Sequence, residues 1–240
     1  MNNIPGLKSI IYSSFKINIT DNQNTQFDSY FSTLAEWNEK FNLTAITGRE
    51  QVYYLHFIDS LAIIKILPEL PLNTELKIID IGTGAGFPGI PLKIMFPGIQ
   101  LALVDSNQKK CSFLNHVIES LSLSNTEVIN IRSEELAHDS RYRNKYDIVI
   151  VRAVDKIPAL LELSAPFLKN DGIAVMWKTK NEISNIKNHV PQLGMKFILS
   201  HDYILPGQDI TRYLIEYKKT GITDKKYPRN PGIPHAKPIY

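Results

Sequence analysis

Residues 77–94, KIIDIGTGAGFPGIPLKI, constrain the fold more than any other part of the chain. A short apolar run ending in Asp80 and Ile81 is followed by glycine at 82, 84, 86 and 89, and then by residues spaced as a helix. Glycine lets a backbone turn tightly and approach a ligand closely, and the helix behind it offers unpaired amides at its first turn. Several nucleoside cofactors use such a loop. Which one this chain takes decides what it does.

Further β-rich runs follow: LALVD, TEVINI, YDIVIV, GIAVMW, KFILSHDYIL and RYLIEY. Helical or polar stretches such as NQKKCSFLNHVIESL and IPALLELSAPFL separate all but the last two. This alternation predicts a mostly parallel α/β sheet covered on both faces. Only PGQDIT lies between Leu205 and Arg212, too short for a helical crossover, so the last two runs form an antiparallel pair. A seven-stranded sheet ending in a hairpin resembles the Rossmann-like fold of class I methyltransferases, and a plain dinucleotide-binding sheet has no such ending. Upstream, Phe27, Phe31, Leu34 and Phe41 fall near one helical face of 25–41. Val52, Leu55, Ile58, Leu61, Ala62 and Ile66 do the same over 49–67, with the loop NLTAITG between the two. The expected division is a helical cap over 1–72, a core over 73–220 and a tail over 221–240.

The single cysteine, Cys111, excludes an intrachain disulfide and reads as a small apolar residue of a cytoplasmic protein. The N-terminus lacks the pattern of a secretion signal. The most apolar stretch, Leu61 to Leu67, is broken by Lys65 and falls far short of the roughly 20 residues of a membrane span. A monomer is the default. From Arg212 onward seven Lys and Arg face two acids, a surplus of five against three for the whole chain. The end, KKYPRNPGIPHAKPIY, is proline-rich and aperiodic, which predicts an extended tail. It is either a solvated terminus or an arm whose Lys225, Lys226, Arg229 and Lys237 contact phosphate.

Gly84 to Gly89 satisfies the dinucleotide pattern G-x-G-x-x-G, weak evidence by itself. Read from Asp80, the order is an acid, then Gly82, Gly84 and Gly86, which resembles the S-adenosylmethionine motif of class I methyltransferases. A pyrophosphate suits bare helix amides, whereas a ligand carrying ammonium and sulfonium suits a nearby carboxylate such as Asp80. Pro88 fits the first helical turn. Asp105 ends the second strand 19 residues after Gly86, where an acid can accept both ribose hydroxyls of either cofactor. The plainer alternative is a solvated strand-end acid, with Ser106–Asn107 starting the next helix. Ser133 and Glu134 follow the third strand, where the class I methyltransferases that the loop resembles commonly hold adenine; they also read as a helix cap and first-turn acid.

EWNEKFNLTAIT, HFIDSL, DIGTGAGFPGIPLKI, LVDSNQKKCSFL and IVIVRAV, with PRNPGIPHAKPI in the tail, closely resemble the bacterial small-subunit ribosomal RNA guanine-N7 methyltransferases, the glucose-inhibited division protein B family. The likeness runs from about Trp37 to Lys178 and resumes in the tail. It implies methyl transfer from S-adenosyl-L-methionine to a guanine of 16S ribosomal RNA, free or within a small-subunit precursor. It also implies that Gly82, Phe87, Ser133, Glu134 and Arg152 contact the cofactor, and that Asp105 is the ribose acid. Two departures are Lys178-Thr179-Lys180, where the family often has Lys-Gly, and Arg229-Asn230-Pro231-Gly232-Ile233-Pro234, where it has Arg-Lys-x-Gly-Thr-Pro.

Guanine N7 has a lone pair and no proton, so no catalytic base is expected and positioning carries the reaction. The absence of an Asn/Asp-Pro-Pro-Tyr motif, and of a Pro-Cys setting for Cys111, agrees with a ring-nitrogen acceptor. Arg152 is the positioning candidate, with an ion pair to Asp80 or Asp155 as its structural alternative. Lys178 is either an RNA phosphate contact or a solvated lysine. His56 and Asp59 share a helix face and read as a capping or core-polar pair, and the resemblance implies that this face covers the glycine loop. No residue cluster has metal-site spacing. A methyltransferase of another RNA or of a small molecule, a dehydrogenase, and an idle RNA-binding protein are the competing readings.

Overall fold

The computed structural model describes residues 6–67, 75–152, 155–183 and 186–240, so the expected boundary at 72/73 lies outside the described residues. Eight strands form one sheet: β1 Lys77–Ile81, β2 Gln100–Asp105, β3 Thr126–Asn130, β4 Tyr146–Arg152, β5 Leu168–Lys178, β6 His189–Val190, β7 Met195–Ile204 and β8 Thr211–Lys219. Their order is β3-β2-β1-β4-β5-β8-β7-β6. The first five are parallel, and β8 inserts antiparallel between β5 and β7. The expected count of seven misses β6. That strand pairs only with Met195 and Lys196, and two residues are too few to show an alternating pattern.

Successive side chains of the central strands go to opposite cores. Ile78, Leu101, Leu103, Ile148 and Ile150 pack on one face, while Ile79, Ala102, Val104, Val149 and Val151 pack on the other. This two-residue period, buried on both sides, is why the strands read as continuous apolar runs. The first face carries the N-terminal helices. These are α1 Leu7–Phe15 and α2 Asp21–Phe41, the latter started by a capping box of Thr20 and Gln23. The buried face of α2 is Phe27, Tyr30 and Leu34, whereas Phe31 is half-buried and Phe41 is exposed, so the expected stripe is partly corrected.

The next helical run starts as α3 Arg49–Val52, widens to a π-helix over Tyr53–Ile58, and continues as α4 Asp59–Leu61 and a 3-10 turn over Ala62–Lys65. The widened turn buries Tyr53, Tyr54, His56, Phe57 and Ile58 almost in sequence. Four further helices complete the core: α5 Gly89–Met95, α6 Gln108–Ser120, α7 Ser133–Leu136 and α8 Ile157–Ser164.

The C-terminal segment is not extended. It folds back on the second face and ends in α9 Ile233–Ala236 beside α8. The Arg143 guanidinium donates to the carbonyls of Tyr227, Thr223 and Asp224. Arg229 donates through its backbone N–H and its guanidinium to Glu162, which is fully buried in α8. Among the described residues no helix is long and apolar enough to cross a membrane.

Candidate functional site

A cleft of about 630 Å³ opens at the carboxyl ends of β1, β2 and β4, where ligands of such sheets sit. Gly82, Gly84, Phe87, Asp105, Ser133, Glu134 and Arg152 all line it. The other two candidates, Asp80 and Gly86, lie behind its wall.

Asp80 is fully buried and does not line the cleft, so it braces the loop from behind instead of standing in the cleft as the expected counter-charge. Its Oδ2 accepts from the Thr83 hydroxyl at 2.7 Å and from the Gly89 N–H at 2.9 Å, tying both ends of the loop together. Burial pushes its pKa up to about 7 despite these donors and the positive charge of Arg152. Pro88 precedes α5 as its N-cap instead of sitting within the first turn. Gly84 has φ +62° and no atom within 4 Å of where a Cβ would stand, so its bare face is turned to the cleft. Gly86, at φ +95°, is hemmed in: a Cβ would stand 2.6 Å from Ile90 Cδ1 and 2.8 Å from the Tyr30 hydroxyl.

Sequence reasoning missed Tyr30. Its hydroxyl donates to the Ala85 carbonyl at 2.5 Å, and its ring stacks on Phe57 near Phe87 and Phe113. The helical cap therefore holds the glycine loop directly. The spacing Phe27–Tyr30–Leu34 was a detectable signal.

Asp105 both lines the cleft and braces the loop. Its Oδ2 accepts from the Gly84 N–H at 3.0 Å and its Oδ1 from the Asn107 N–H at 2.8 Å, leaving lone pairs on both oxygens for ribose hydroxyls. Asn107 is the cap of α6, accepting from Lys109 and Lys110. Ser133 opens α7 without capping it; Arg132 holds the cap position. The Ser133 hydroxyl lies 3.4 Å from Glu134 Oε2.

Arg152 pairs with Asp59, not with Asp80 or Asp155. Its Nη1 donates to Asp59 Oδ2 and to the Leu55 carbonyl, both at 3.1 Å, and its Nη2 donates to His56 Nδ1 at 3.0 Å. The guanidinium also lies 5.2 Å from the centre of the Phe87 ring, against which His56 stacks at 4.4 Å. Because Nδ1 accepts, His56 carries its proton on Nε2 and gives it to Thr44 Oγ1 at 3.0 Å. Burial, and then Arg152, lower its pKa to about 3, so it is neutral around pH 7 and poorly suited to general base catalysis. Thr44 is fixed in turn by Asn38, whose side chain bonds both its N–H and its carbonyl. Asn42, at φ 49°, ends α2 in the left-handed conformation, which accounts for the Asn-Leu-Thr run. Asp59 is buried, accepting also from Tyr203 at 2.5 Å.

The remaining expected RNA contacts divide. Lys178 is buried, donating to the Asp155 carbonyl and to Glu182 Oε1, so it is no free phosphate contact. The departure at Thr179 is explained by its capping box with Glu182. Arg229 is committed to Glu162. Lys225, Lys226 and Lys237 are exposed. Gly232, Pro234 and His235 line the cleft, although nothing in the sequence pattern placed them there.

The cleft's mixed lining, Asp105, Glu134 and Asp155 with Lys110 and Arg152, and the open face at Gly84 fit a nucleoside ligand carrying charges of both signs. Residues 23–201 match the family described as rRNA small subunit methyltransferase G. Curated relatives named ribosomal RNA small subunit methyltransferase G are 42% identical in Carboxydothermus hydrogenoformans (95% of this chain, 97% of that one) and 43% identical in Acetivibrio thermocellus (95% and 93%). Among solved structures, a SAM-dependent methyltransferase from Aquifex aeolicus has TM-score 0.51 at 16% identity, covering 72% of this chain and 94% of that one. M. jannaschii TYW2 in complex with AdoMet has TM-score 0.50 at 18% identity, covering 67% and 75%. These two share the fold. The sequence matches go further: the chain belongs to the rRNA small subunit methyltransferase G family.

Proposed function

We infer that the chain methylates N7 of a guanine in the 16S ribosomal RNA of the small subunit, with S-adenosylmethionine as donor. The observation that carries this reading is the cleft itself, where the family's glycine loop, Asp105, Ser133–Glu134 and Arg152 converge. S-adenosylmethionine supplies a methyl group on a positively charged sulfur. Asp105 accepts ribose hydroxyls, Ser133 and Glu134 bound the base end, and the amides of the loop approach where Gly84 leaves space. Phe87, clamped between His56 and the neighbouring aromatic rings, shapes the wall next to Arg152.

No side chain has to remove a proton, because guanine N7 has none. The chain's contribution is to hold the acceptor nitrogen in line with the methyl group and to exclude water, a positional effect that can supply several kcal/mol of a barrier. Arg152, fixed on three sides, orients the reacting groups instead of titrating. Lys225, Lys226 and Lys237 meet RNA phosphate. RNA carrying 7-deazaguanosine at the target tests the acceptor: it should bind as well as the natural RNA and take no methyl. Methylation of the deaza RNA would exclude N7. Protection against heat by S-adenosylmethionine but not by NAD separates the reading from a dehydrogenase.

A further inference from the structure

The C-terminal segment, whose charge reads as either a solvated terminus or a phosphate-contacting arm, also encloses the cleft. Gly232, Pro234 and His235 line that cleft beside Glu134 and Asp155. The Gly232 N–H donates to Glu134 Oε1 at 3.0 Å, and His235 Nδ1 lies 2.7 Å from Asp155 Oδ2. Both acids belong to the cleft's lining. Behind this wall, Arg229 makes four hydrogen bonds to the buried Glu162 carboxylate, and its Nη2 also donates to the Lys237 carbonyl across the turn that carries α9. Glu162 is 0% exposed. A buried carboxylate needs a partner, so this pair ties the segment to α8 at one defined position.

Resting on the S-adenosylmethionine reading above, we propose that residues 227–236 are a wall of the cofactor site and that Arg229 is the positioning residue that holds it. Gly232, at φ +83°, points its N–H at Glu134 and fixes that carboxylate before any ligand arrives. Oε2 is left directed to Ser133 and the cleft. A wall already in place spares the ligand the cost of ordering it. Release of Arg229 therefore weakens the cofactor complex although Arg229 itself does not line the cleft. The tail's lysines stay exposed on the surface, where RNA phosphate can reach them, so one segment serves both ligands through different residues.

The test uses the full chain with Arg229→Gln and Glu162→Gln together, which removes the ion pair without leaving a buried charge alone. Binding of S-adenosylmethionine and S-adenosylhomocysteine is measured by calorimetry, and dissociation by stopped flow. The wall predicts Kd raised at least tenfold with a faster off-rate, an effect on KM for the cofactor exceeding that on kcat, and an unchanged salt slope of RNA binding. Should this variant fail to fold, Pro234→Gly with His235→Ala touches the wall alone and should raise Kd at least threefold. Unchanged cofactor Kd in a folded variant overturns the proposal. A changed RNA salt slope with unchanged cofactor Kd overturns it in favour of an RNA arm. A wild-type chain that binds neither cofactor form contradicts the methyltransferase reading instead.

Discussion

At the scale of single residues, the site depends on two positions where a side chain would intrude and on two groups whose protonation burial has shifted. Gly84→Val puts branched carbons into the one face of the loop left open and forces a β-branched residue to φ +62°, a strain of about 1–3 kcal/mol. Calorimetry should show S-adenosylmethionine affinity lowered more than tenfold, with the circular dichroism of a folded protein. Asp80 keeps its proton in the folded state to about pH 7, against 3.8 for an unperturbed carboxyl. Between those values the folded state binds the extra proton, so Asp80's contribution to stability is largest at the acid end and is lost as pH rises to about 7. His56 has the opposite sign. Its pKa falls from 6.5 to about 3, so its contribution is present above 6.5 and is lost on acidification toward 3. The two slopes oppose each other from about pH 4 to 6.5. Asp80→Asn removes one of them, so its stability relative to wild type should improve as pH rises from 4 to 7, by up to a few kcal/mol at about 1.4 kcal/mol per pK unit. Denaturant titrations at several pH values measure this. A flat difference contradicts the shifted carboxyl. The single-turnover methylation rate should vary little from pH 6.5 to 8.5, and any inflection near 7 should vanish in Asp80→Asn, which distinguishes a loop group from a catalytic base.

At the scale of elements, the glycine loop is held from three directions: α2 through Tyr30, β2 through Asp105, and β1 through Asp80. Tyr30→Phe keeps the ring stack but leaves the buried Ala85 carbonyl without its donor, costing about 1–3 kcal/mol of stability. Cofactor Kd should rise several-fold; equal affinity would show that the loop holds its shape without α2. In the tail, replacing Lys225, Lys226 and Lys237 by Ala should flatten the salt dependence of RNA binding and leave cofactor Kd unchanged, measured by filter binding across salt concentrations. The glycine loop, the strand-helix alternation and the closing hairpin were legible because each is written in a local pattern. The partners of Arg152 and Arg229 were not. Asp59 and Glu162 lie 93 and 67 residues away, and neither pairing leaves a periodic trace. The tail looked extended for the same reason, since proline-rich segments without apolar rhythm can still dock through backbone carbonyls, as Arg143 shows. Lys178 differs: a lysine at a strand end reads as solvated or as a phosphate contact, yet here it is buried, held by the Asp155 carbonyl and Glu182.

At the scale of the whole molecule, one sheet separates two tasks. Its first face is packed by the N-terminal helices, which reach the glycine loop, and its second by α8 and the returning C-terminal segment, which reach Glu134 and Asp155. The cleft at the carboxyl edge is thus bounded by parts of the chain near both termini. That arrangement supports a positioning enzyme, because the glycine loop, Arg152 and Glu134 are each held by partners remote in sequence, and both ring nitrogens of the buried His56 are committed, to Arg152 and to Thr44. The most direct test is mass mapping of nuclease digests after the purified chain, S-adenosylmethionine carrying a labelled methyl group, and small-subunit RNA lacking the modification are incubated together, both as free RNA and as the assembled particle. The account predicts the label on one guanine, at N7, and none when Gly84→Val replaces the wild-type chain. Label on an exocyclic amine, on a base other than guanine, or on no nucleotide of either substrate would contradict it.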